Sequence, residues 1–335
     1  MAFLPYQHLR ALAVVWGYAW LSDASRATLA KSYTAICLLA AAYQWRRSKV
    51  QPMVASDGRW ALVTGASSGI GGAIATELAA KGFSVALVAR SEAVLGAKQA
   101  ELRRAFPSVG VAVVPHDLSG ADAAAALVAK LGAAGVGEVG VLVNNAGVGL
   151  RAPLAAVAGD KLERCMLLNT LALAQLCRLL LPPMLARHSG RILNISSITG
   201  EAPAANGAVY HGTKAFVSMF SLSLQHEVEH SGVGVTCSFP GATDTAFAAA
   251  SGASEALAFH APLCHHSAEE VARRSVAGLL RGDVAVAPPG IMNRLYTDVV
   301  VPFFPPKAVL FVATTFWRPV AELGVLAKLF GAKSE

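Results

Sequence analysis

Charged residues are scarce in this chain: Asp, Glu, Lys and Arg make up 15% of its 335 residues, whereas hydrophobic residues make up 54%. This composition excludes an intrinsically disordered protein, because the chain has ample apolar surface to bury. The sequence also lacks an internal repeat, which argues against a repeat architecture. The length suits one large α/β domain with additional segments.

Cysteines at disulfide-framework or metal-binding spacing are also lacking. The five cysteines are odd in number, widely separated and without a CxxC motif, which argues against a disulfide framework and against a zinc site. His265 and His266 have no partner at metal-ligand spacing, so we expect them in a surface loop and predict no metal. We expect reduced thiols at every cysteine: Cys37, Cys165, Cys177, Cys237 and Cys264.

The body of the chain has no excess of positive charge. The first 60 residues hold seven Lys or Arg against two Asp or Glu, so they carry +5 of the total net charge of +7. The remainder shows no basic stripe and no helix-turn-helix, zinc-finger or RNA-binding signature. We therefore predict no nucleic-acid partner.

The basic N-terminus contains two apolar stretches, at 11–21 and 33–45, and Arg46 and Arg47 follow the second directly. A helix over 27–45 would just span a bilayer, with the basic residues keeping the following domain on the cytosolic side. A hairpin within one leaflet and a cleaved targeting segment remain as alternatives. The aromatic residues in these stretches favour a retained membrane anchor or targeting segment over 1–56.

From Trp60 onward, short β-rich runs alternate with segments of helical length. The runs are "ALVTG", "SVALVAR", "VAVVPHD", "GVLVNNAG", "RILNISS" and "GVTCSFPG". Continuous apolar runs of this kind are typical of a parallel sheet that is covered on both faces. The fold class is therefore predicted as α/β, a doubly wound Rossmann sheet over 57–290, followed by an apolar extension over 291–335.

A glycine-rich turn, "TGASSGIG", follows the first predicted strand and opens a helix. Glycines permit a tight turn and a close backbone approach to a pyrophosphate, which the helix N-terminus then holds. A dinucleotide site is therefore predicted at Gly65, Ser67, Ser68, Gly69, Ile70 and Gly71.

The second predicted strand ends in Arg90 and Ser91, where an NAD site usually has an acidic residue for the ribose hydroxyls. A guanidinium instead pairs with the 2′-phosphate of NADP(H). We therefore predict NADP(H) as the cofactor.

These motifs, with "HDL", "NNAG", "ISS", "YHGTK" and "PGATDT" following in order, resemble the classical short-chain dehydrogenase/reductase family over about 60–290. The resemblance implies a catalytic tetrad of Asn169, Ser197, Tyr210 and Lys214. In the pattern of this family the catalytic serine lies thirteen residues before the catalytic tyrosine, and this spacing selects Ser197 over Ser196. It also implies cofactor contacts at Asp117, Leu118, Asn145, Ala146, Gly147, Tyr210, Lys214, Pro240, Gly241, Thr243 and Thr245.

The spacing of Tyr210 and Lys214 places them on one helix face. Free tyrosine has a pKa near 10 and is a poor acid or base at neutral pH, so we expect Lys214 to lower the pKa of Tyr210 and to hold the nicotinamide ribose. The resemblance implies that Ser197 binds the substrate oxygen and that Asn169 orients a proton-relay water. His211 is expected to shape the pocket only.

The substrate is predicted to be lipophilic, because 246–266 is small and apolar. The chain resembles membrane-anchored very-long-chain 3-oxoacyl-CoA reductases and 17β-hydroxysteroid dehydrogenases of the endoplasmic reticulum. This implies an NADPH-dependent ketoreductase, with a mitochondrial or plastid membrane as the alternative location and a homodimer as a possible assembly. The rival functions are an 11β-hydroxysteroid-dehydrogenase-like enzyme and a Rossmann subunit of a membrane complex with a structural NADPH.

The segment 299–317 is expected to pack on the sheet or to rest on a membrane.

Overall fold

A computed structural model describes residues 52–55, 59–260, 264–301, 304 and 306–319. The predicted membrane anchor lies outside the described residues, apart from 52–55.

The core of the fold is a parallel sheet of seven strands. These are β1 (Trp60–Thr64), β2 (Ser84–Ala89), β3 (Val111–Pro115), β4 (Val139–Asn144), β5 (Gly190–Ile195), β6 (Val233–Ser238) and the short β9 (Ala285–Val286), in the order β3-β2-β1-β4-β5-β6-β9. Two further short strands, β7 (Ala242–Asp244) and β8 (His265–Ser267), pair in parallel with each other. All six predicted strands are present, and the predicted Rossmann sheet is confirmed.

Helices alternate with these strands. They are α1 (Gly69–Ala80), α2 (Glu92–Ala105), α3 (Ala123–Leu131), α4 (Gly159–Met166), α5 (Ala172–Ala186), α6 (Ala208–Glu227), α7 (Phe247–Ala250), α8 (Ala268–Arg281), α9 (Ile291–Leu295) and α10 (Pro306–Trp317). A single π-helical turn, Leu167–Leu171, joins α4 to α5, and a second, Tyr296–Val300, continues α9.

The sheet is buried on both faces, as its apolar strands require. On β1, Leu62 packs into one hydrophobic cluster, whereas Ala61 and Val63 pack into the cluster on the opposite face. Successive side chains of a strand point to opposite faces, so both faces of this strand lie under helices.

One helical segment in the described part of the chain, Gly159–Ala186, is long and apolar enough to cross a membrane by length and composition alone. Its inward side chains, among them Leu173 and Leu176, belong to the hydrophobic core beside the sheet. We therefore interpret it as a core helix of the domain.

The four cysteines in the described part of the chain are free, as the sequence predicts, and all four are buried. The described residues contain no cluster of metal ligands. The expectation of a surface loop for His265 and His266 is wrong, because both lie in β8, where His265 Nδ1 contacts Asp244 Oδ2 at 3.3 Å.

The carboxyl ends of the parallel strands meet at one edge of the sheet. The glycine-rich turn follows β1, Arg90 follows β2, Asp117 lies just beyond β3, and Ser197 lies just beyond β5. The chain order reverses between β1 and β4, and this topological switch point is where α/β sheets open a binding crevice. The fold therefore brings sequence-distant motifs to one crevice.

Candidate active site

A cavity of about 790 Å³ occupies this edge of the sheet. Every predicted site residue except Gly71 and Asn169 lines it. The catalytic and cofactor-binding predictions therefore converge on a single cavity, although they come from motifs spread over the whole domain.

The backbone of the glycine-rich turn leaves room for a ligand to approach it closely. Gly65 and Gly69 have φ angles of +65° and +56°, a region that favours glycine. A Cβ on Gly71 would overlap the carbonyl oxygen of Gly65, so Gly71 serves the packing of α1 on the turn and does not line the cavity. The open backbone of this turn at a helix N-terminus fits the pyrophosphate of a dinucleotide.

Asn145 holds the turn from the neighbouring strand. Its side-chain Nδ2 donates to the carbonyl oxygens of Thr64 at 3.0 Å and Gly65 at 3.2 Å. In return, the hydroxyl of Thr64 accepts from the backbone nitrogens of Asn145 and Ala146, each at 3.0 Å. Sequence reasoning gave Thr64 no such role, because the contact joins residues about 80 positions apart.

At the adenosine end, Arg90 is exposed and lines the cavity. Ser91 begins α2 as its N-cap, and its hydroxyl accepts from the backbone nitrogen of Val94. Burial opposes ionisation of Asp117, but hydrogen bonds from Ser119 and the nearby cations of Arg164 and Arg90 hold its pKa below the usual value. Arg164 also lines the cavity, and the motifs gave no signal for it.

The two adjacent serines have different tasks. Ser196 Oγ lies 2.9 Å from the carbonyl oxygen of Lys214 and 2.8 Å from Ser218 Oγ, so it fastens α6 to the sheet. Ser197 Oγ donates only a long bond of 3.4 Å to the carbonyl oxygen of Pro240 and lies beside Tyr210. This geometry supports the choice of Ser197 for contact with a substrate.

Tyr210 and Lys214 project from α6 and are both buried. The Lys214 Nζ donates to the carbonyl oxygen of Ile195 at 2.8 Å and lies 5.9 Å from the centre of the Tyr210 ring. Burial lowers the pKa of Lys214 to about 8. Burial also raises the pKa of Tyr210, and the adjacent Ser197 hydroxyl opposes this only in part. In this structure, therefore, the expected lowering of the tyrosine pKa is outweighed by desolvation.

Asn169 lies in the π-helical turn between α4 and α5, a feature that often marks functional sites. Its Oδ1 accepts from the backbone nitrogen of Val148 at 2.8 Å, and its Nδ2 donates to the Val148 carbonyl at 2.9 Å and to Thr213 Oγ1 at 3.1 Å. The side chain thus fixes the loop after β4 and does not line the cavity. The proton-relay role of Asn169 stays a prediction.

The motifs missed most of the apolar wall of the cavity. Phe247 and Phe259 come from the apolar segment 246–266, and the C-terminal segment contributes a further set of side chains: Met292, Leu295, Tyr296, Val300, Val312, Ala313, Phe316 and Trp317. Thr199 also faces the cavity, and its hydroxyl, like that of Ser197, opposes the rise in the pKa of Tyr210.

Comparison with known proteins agrees with the site. The family model described as short chain dehydrogenase matches residues 59–256. Very-long-chain 3-oxoacyl-CoA reductase from Laccaria bicolor is 39% identical over 187 residues, which cover 54% of each chain. Very-long-chain 3-oxoacyl-CoA reductase let-767 from Caenorhabditis elegans is 38% identical over 182 residues, 52% of this chain and 57% of the relative. The chain thus spans about half the length of the curated relatives it matches.

Among solved structures, a short-chain dehydrogenase from Sphingobium yanoikuyae in complex with NADPH is similar, with a TM-score of 0.64 and 27% identity. The match covers 83% of this chain and 98% of that structure. The predicted nicotinamide cofactor is confirmed at the level of the family. The family match over more than half of the chain, together with the sheet order and the converging motifs, shows that the chain belongs to the short-chain dehydrogenase family of NAD(P)-dependent oxidoreductases.

Proposed function

We propose that this chain is an NADPH-dependent ketoreductase of long-chain 3-oxoacyl thioesters. The observation that carries the proposal is the single cavity in which Ser197, Tyr210 and Lys214 face an apolar wall. The similarity to very-long-chain 3-oxoacyl-CoA reductases supports the substrate class. A ketosteroid is the second candidate of the same apolar character.

The cofactor is proposed to be NADP(H) because the turn after β2 presents Arg90 where an acidic residue would select NAD. A similar solved structure contains NADPH, which supports the same choice. The turn Gly65–Ile70 would hold the pyrophosphate, and Lys214 would hold the nicotinamide ribose. The bound cofactor would supply a hydride to the carbonyl carbon.

The residues of the chain would supply the proton and the polarisation. Ser197 donates a hydrogen bond to the ketone oxygen and withdraws charge from it as the carbon is reduced. Tyr210 then donates its phenolic proton to the same oxygen. Because burial raises the pKa of Tyr210, the phenol carries its proton at neutral pH, which is the form that a proton donor requires.

The test is the oxidation of NADPH by purified full-length protein with 3-oxopalmitoyl-CoA, acetoacetyl-CoA and a 17-ketosteroid. We expect turnover with the first, weaker turnover with the short thioester, and little with the steroid. Tyr210→Phe should lose roughly 10²- to 10⁴-fold in turnover and still bind NADPH. Binding of NADPH without turnover of any of the three ketones would instead favour a structural role for the cofactor.

Membrane association is proposed through two parts of the chain. The predicted anchor over 1–56 is the first. The second is an apolar edge formed by Ile291, Leu295 and Val299 on one side of α9 and its continuation, with Phe311 on α10. Ile291 and Phe311 are each 73% exposed, and Leu295 also lines the cavity together with other residues of the same helices. Exposed apolar surface beside a cavity is suited to contact with lipid, and the resemblance found in the sequence favours the endoplasmic reticulum.

A second copy of the chain is proposed as the partner of another exposed apolar surface. Met166 at the end of α4, Leu171 in the π-helical turn, and Phe216 and Met219 on α6 are exposed on neighbouring helices. Light scattering of wild type and Met219→Glu tests this surface. A monomeric wild type would rule out the homodimer.

A further inference from the structure

We propose that Trp317 is a positioning residue for Tyr210, so that the C-terminal helix completes an active site whose motif residues all lie upstream of it. This inference rests on the proposed role of Tyr210 as proton donor. Trp317 lies beyond residues 59–256, which the family model matches, and no motif of the sequence points to it.

The contact between the two rings is direct. The indole of Trp317 lies parallel to the phenol of Tyr210, with an interplanar angle of 3° and ring centroids 6.3 Å apart. An offset parallel arrangement at this separation is among the favourable aromatic geometries. The same indole meets the ring of His211 edge-on at 5.4 Å, so it contacts two consecutive residues of α6.

Tyr210 is also covered by a second ring. Phe247 of α7 lies 5.8 Å from its ring centroid at an interplanar angle of 48°. The phenol therefore contacts one ring from α7, which follows β7, and another from α10. Both rings limit the rotation that would carry the hydroxyl away from Ser197.

Three loops around the cavity hold α10 in place. Arg151 Nε donates to the carbonyl oxygen of Trp317 at 2.9 Å, and the backbone nitrogen of Ala205 donates to Thr314 Oγ1 at 3.1 Å. The backbone nitrogen of Leu257 donates to the carbonyl oxygen of Arg318 at 2.9 Å. The indole is thus fixed from several directions and is 9% exposed.

These contacts define what Trp317 does and what it does not do. A proton donor displaced by about one ångström can cost 10²-fold in rate, so an indole that fixes the phenol acts on the chemical step. Trp317 comes from the apolar wall, and Tyr210 is the one predicted cofactor contact whose ring it meets, whereas the predicted contacts to the adenosine and pyrophosphate lie on the turn after β1 and at the ends of β2 and β3. Its loss should therefore spare cofactor affinity.

The experiment compares Trp317→Phe, Trp317→Leu and wild-type full-length enzyme, with Leu310→Ala as a matched control at an exposed position of the same helix. Single-turnover oxidation of NADPH by 3-oxopalmitoyl-CoA gives the rate of the chemical step, NADPH fluorescence gives the Kd, and thermal unfolding checks the fold. Leu fills much of the space without offering a ring to stack.

We expect Trp317→Leu to slow the chemical step roughly 10- to 100-fold and to raise its solvent deuterium isotope effect, because a misplaced donor makes proton transfer limiting. Trp317→Phe should recover most of the rate, and the NADPH Kd of both variants should stay within about twofold of wild type. Leu310→Ala should match wild type.

Equal rates for Trp317→Leu and wild type would overturn the inference, as would equal rates for the Phe and Leu variants. A Tyr210→Phe variant measured in parallel separates this failure from failure of the proposed function. If Tyr210→Phe turns over normally, the assignment of Tyr210 as proton donor is wrong, and the inference falls with it. If Tyr210→Phe is inactive and Trp317→Leu is normal, only the role of Trp317 is wrong.

Discussion

Lys214 is expected to produce the basic limb of the pH–rate profile. Its Nζ donates to the Ile195 carbonyl at 2.8 Å in a buried position, and burial lowers its pKa to about 8. The charged ammonium is the form that would hold the nicotinamide ribose. We therefore expect kcat/KM for ketone reduction to fall as the pH rises through about 8.

The size of the effect follows from this pKa. About 90% of Lys214 would be protonated at pH 7 and about 10% at pH 9. Above about pH 9, kcat/KM should therefore fall nearly tenfold for each further pH unit. Burial raises the pKa of Glu201, next to the glycine that packs on the Lys214 backbone, to about 7, so this carboxyl titrates below the basic limb. Burial raises the pKa of Tyr210 and of Cys165, and it raises the pKa of Cys237 to about 12.

Loss of activity by this route is distinct from unfolding. The pKa of Lys214 is lower in the folded protein than in the unfolded chain. Between these two pKa values the unfolded chain binds more protons than the folded protein, so the folded state becomes more stable as the pH rises above about 8. The contribution of Lys214 to stability should therefore rise in the pH range where activity falls. Thermal unfolding at each pH separates the two effects.

The assay is steady-state NADPH oxidation with 3-oxopalmitoyl-CoA from about pH 6 to about pH 10. Lys214→Arg keeps its charge throughout this range, so its basic limb should move beyond the range even if the maximal rate is lower. Lys307→Arg, at an exposed position on α10, should retain the wild-type profile. A flat wild-type profile up to pH 10, or an unchanged limb in Lys214→Arg, would refute the reasoning.

Three further predictions concern the cofactor, the turn and the membrane. Arg90→Asp should weaken NADPH binding roughly 10- to 100-fold more than NADH binding, because it replaces the cation that would bind the 2′-phosphate with a negative charge that repels it. Arg104→Asp, on the exposed end of α2, is the control. Equal losses of affinity for both cofactors would show that Arg90 does not bind the 2′-phosphate. Gly71→Ala should destabilise the fold by about 1–3 kcal/mol in chemical unfolding, because its Cβ overlaps the Gly65 carbonyl, whereas Gly72→Ala, whose Cβ lies 3.4 Å from the nearest atom, should be neutral or stabilising. Full-length protein should stay in the membrane pellet after carbonate extraction. Removal of 1–50 should release active enzyme into the soluble fraction, and this release should be complete when Phe311→Asp is combined with the truncation. A full-length protein that carbonate extracts from the membrane would disprove the anchor.

The dinucleotide half of the site was predictable because its signals are local. A glycine-rich turn after an apolar strand requires only consecutive residues to be interpreted, and the structure places Gly65, Ser68 and Arg90 on the cavity. Likewise, the spacing of Tyr210 and Lys214 is a property of one helix. Such short-range patterns determine the backbone geometry before any tertiary contact is considered.

The substrate half was not predictable by the same means. Trp317 reaches Tyr210 across 107 positions of sequence, and the apolar composition of its segment fits a packed wall as well as a membrane contact. The structure shows that these helices supply a cavity wall and also carry exposed apolar side chains. The direction of the tyrosine pKa was also beyond the motif, because it depends on how completely the fold excludes water from the ring.

The late position of α10 in the chain has a consequence for biosynthesis. Domains fold as the N-terminal parts leave the ribosome, and the Rossmann sheet, with all of the tetrad, is made before the helix that covers Tyr210. A nascent or prematurely terminated chain that ends before Pro306 would carry every motif residue and still lack the ring that packs on the tyrosine. The complete packing around Tyr210 would then form only after α10 has been translated.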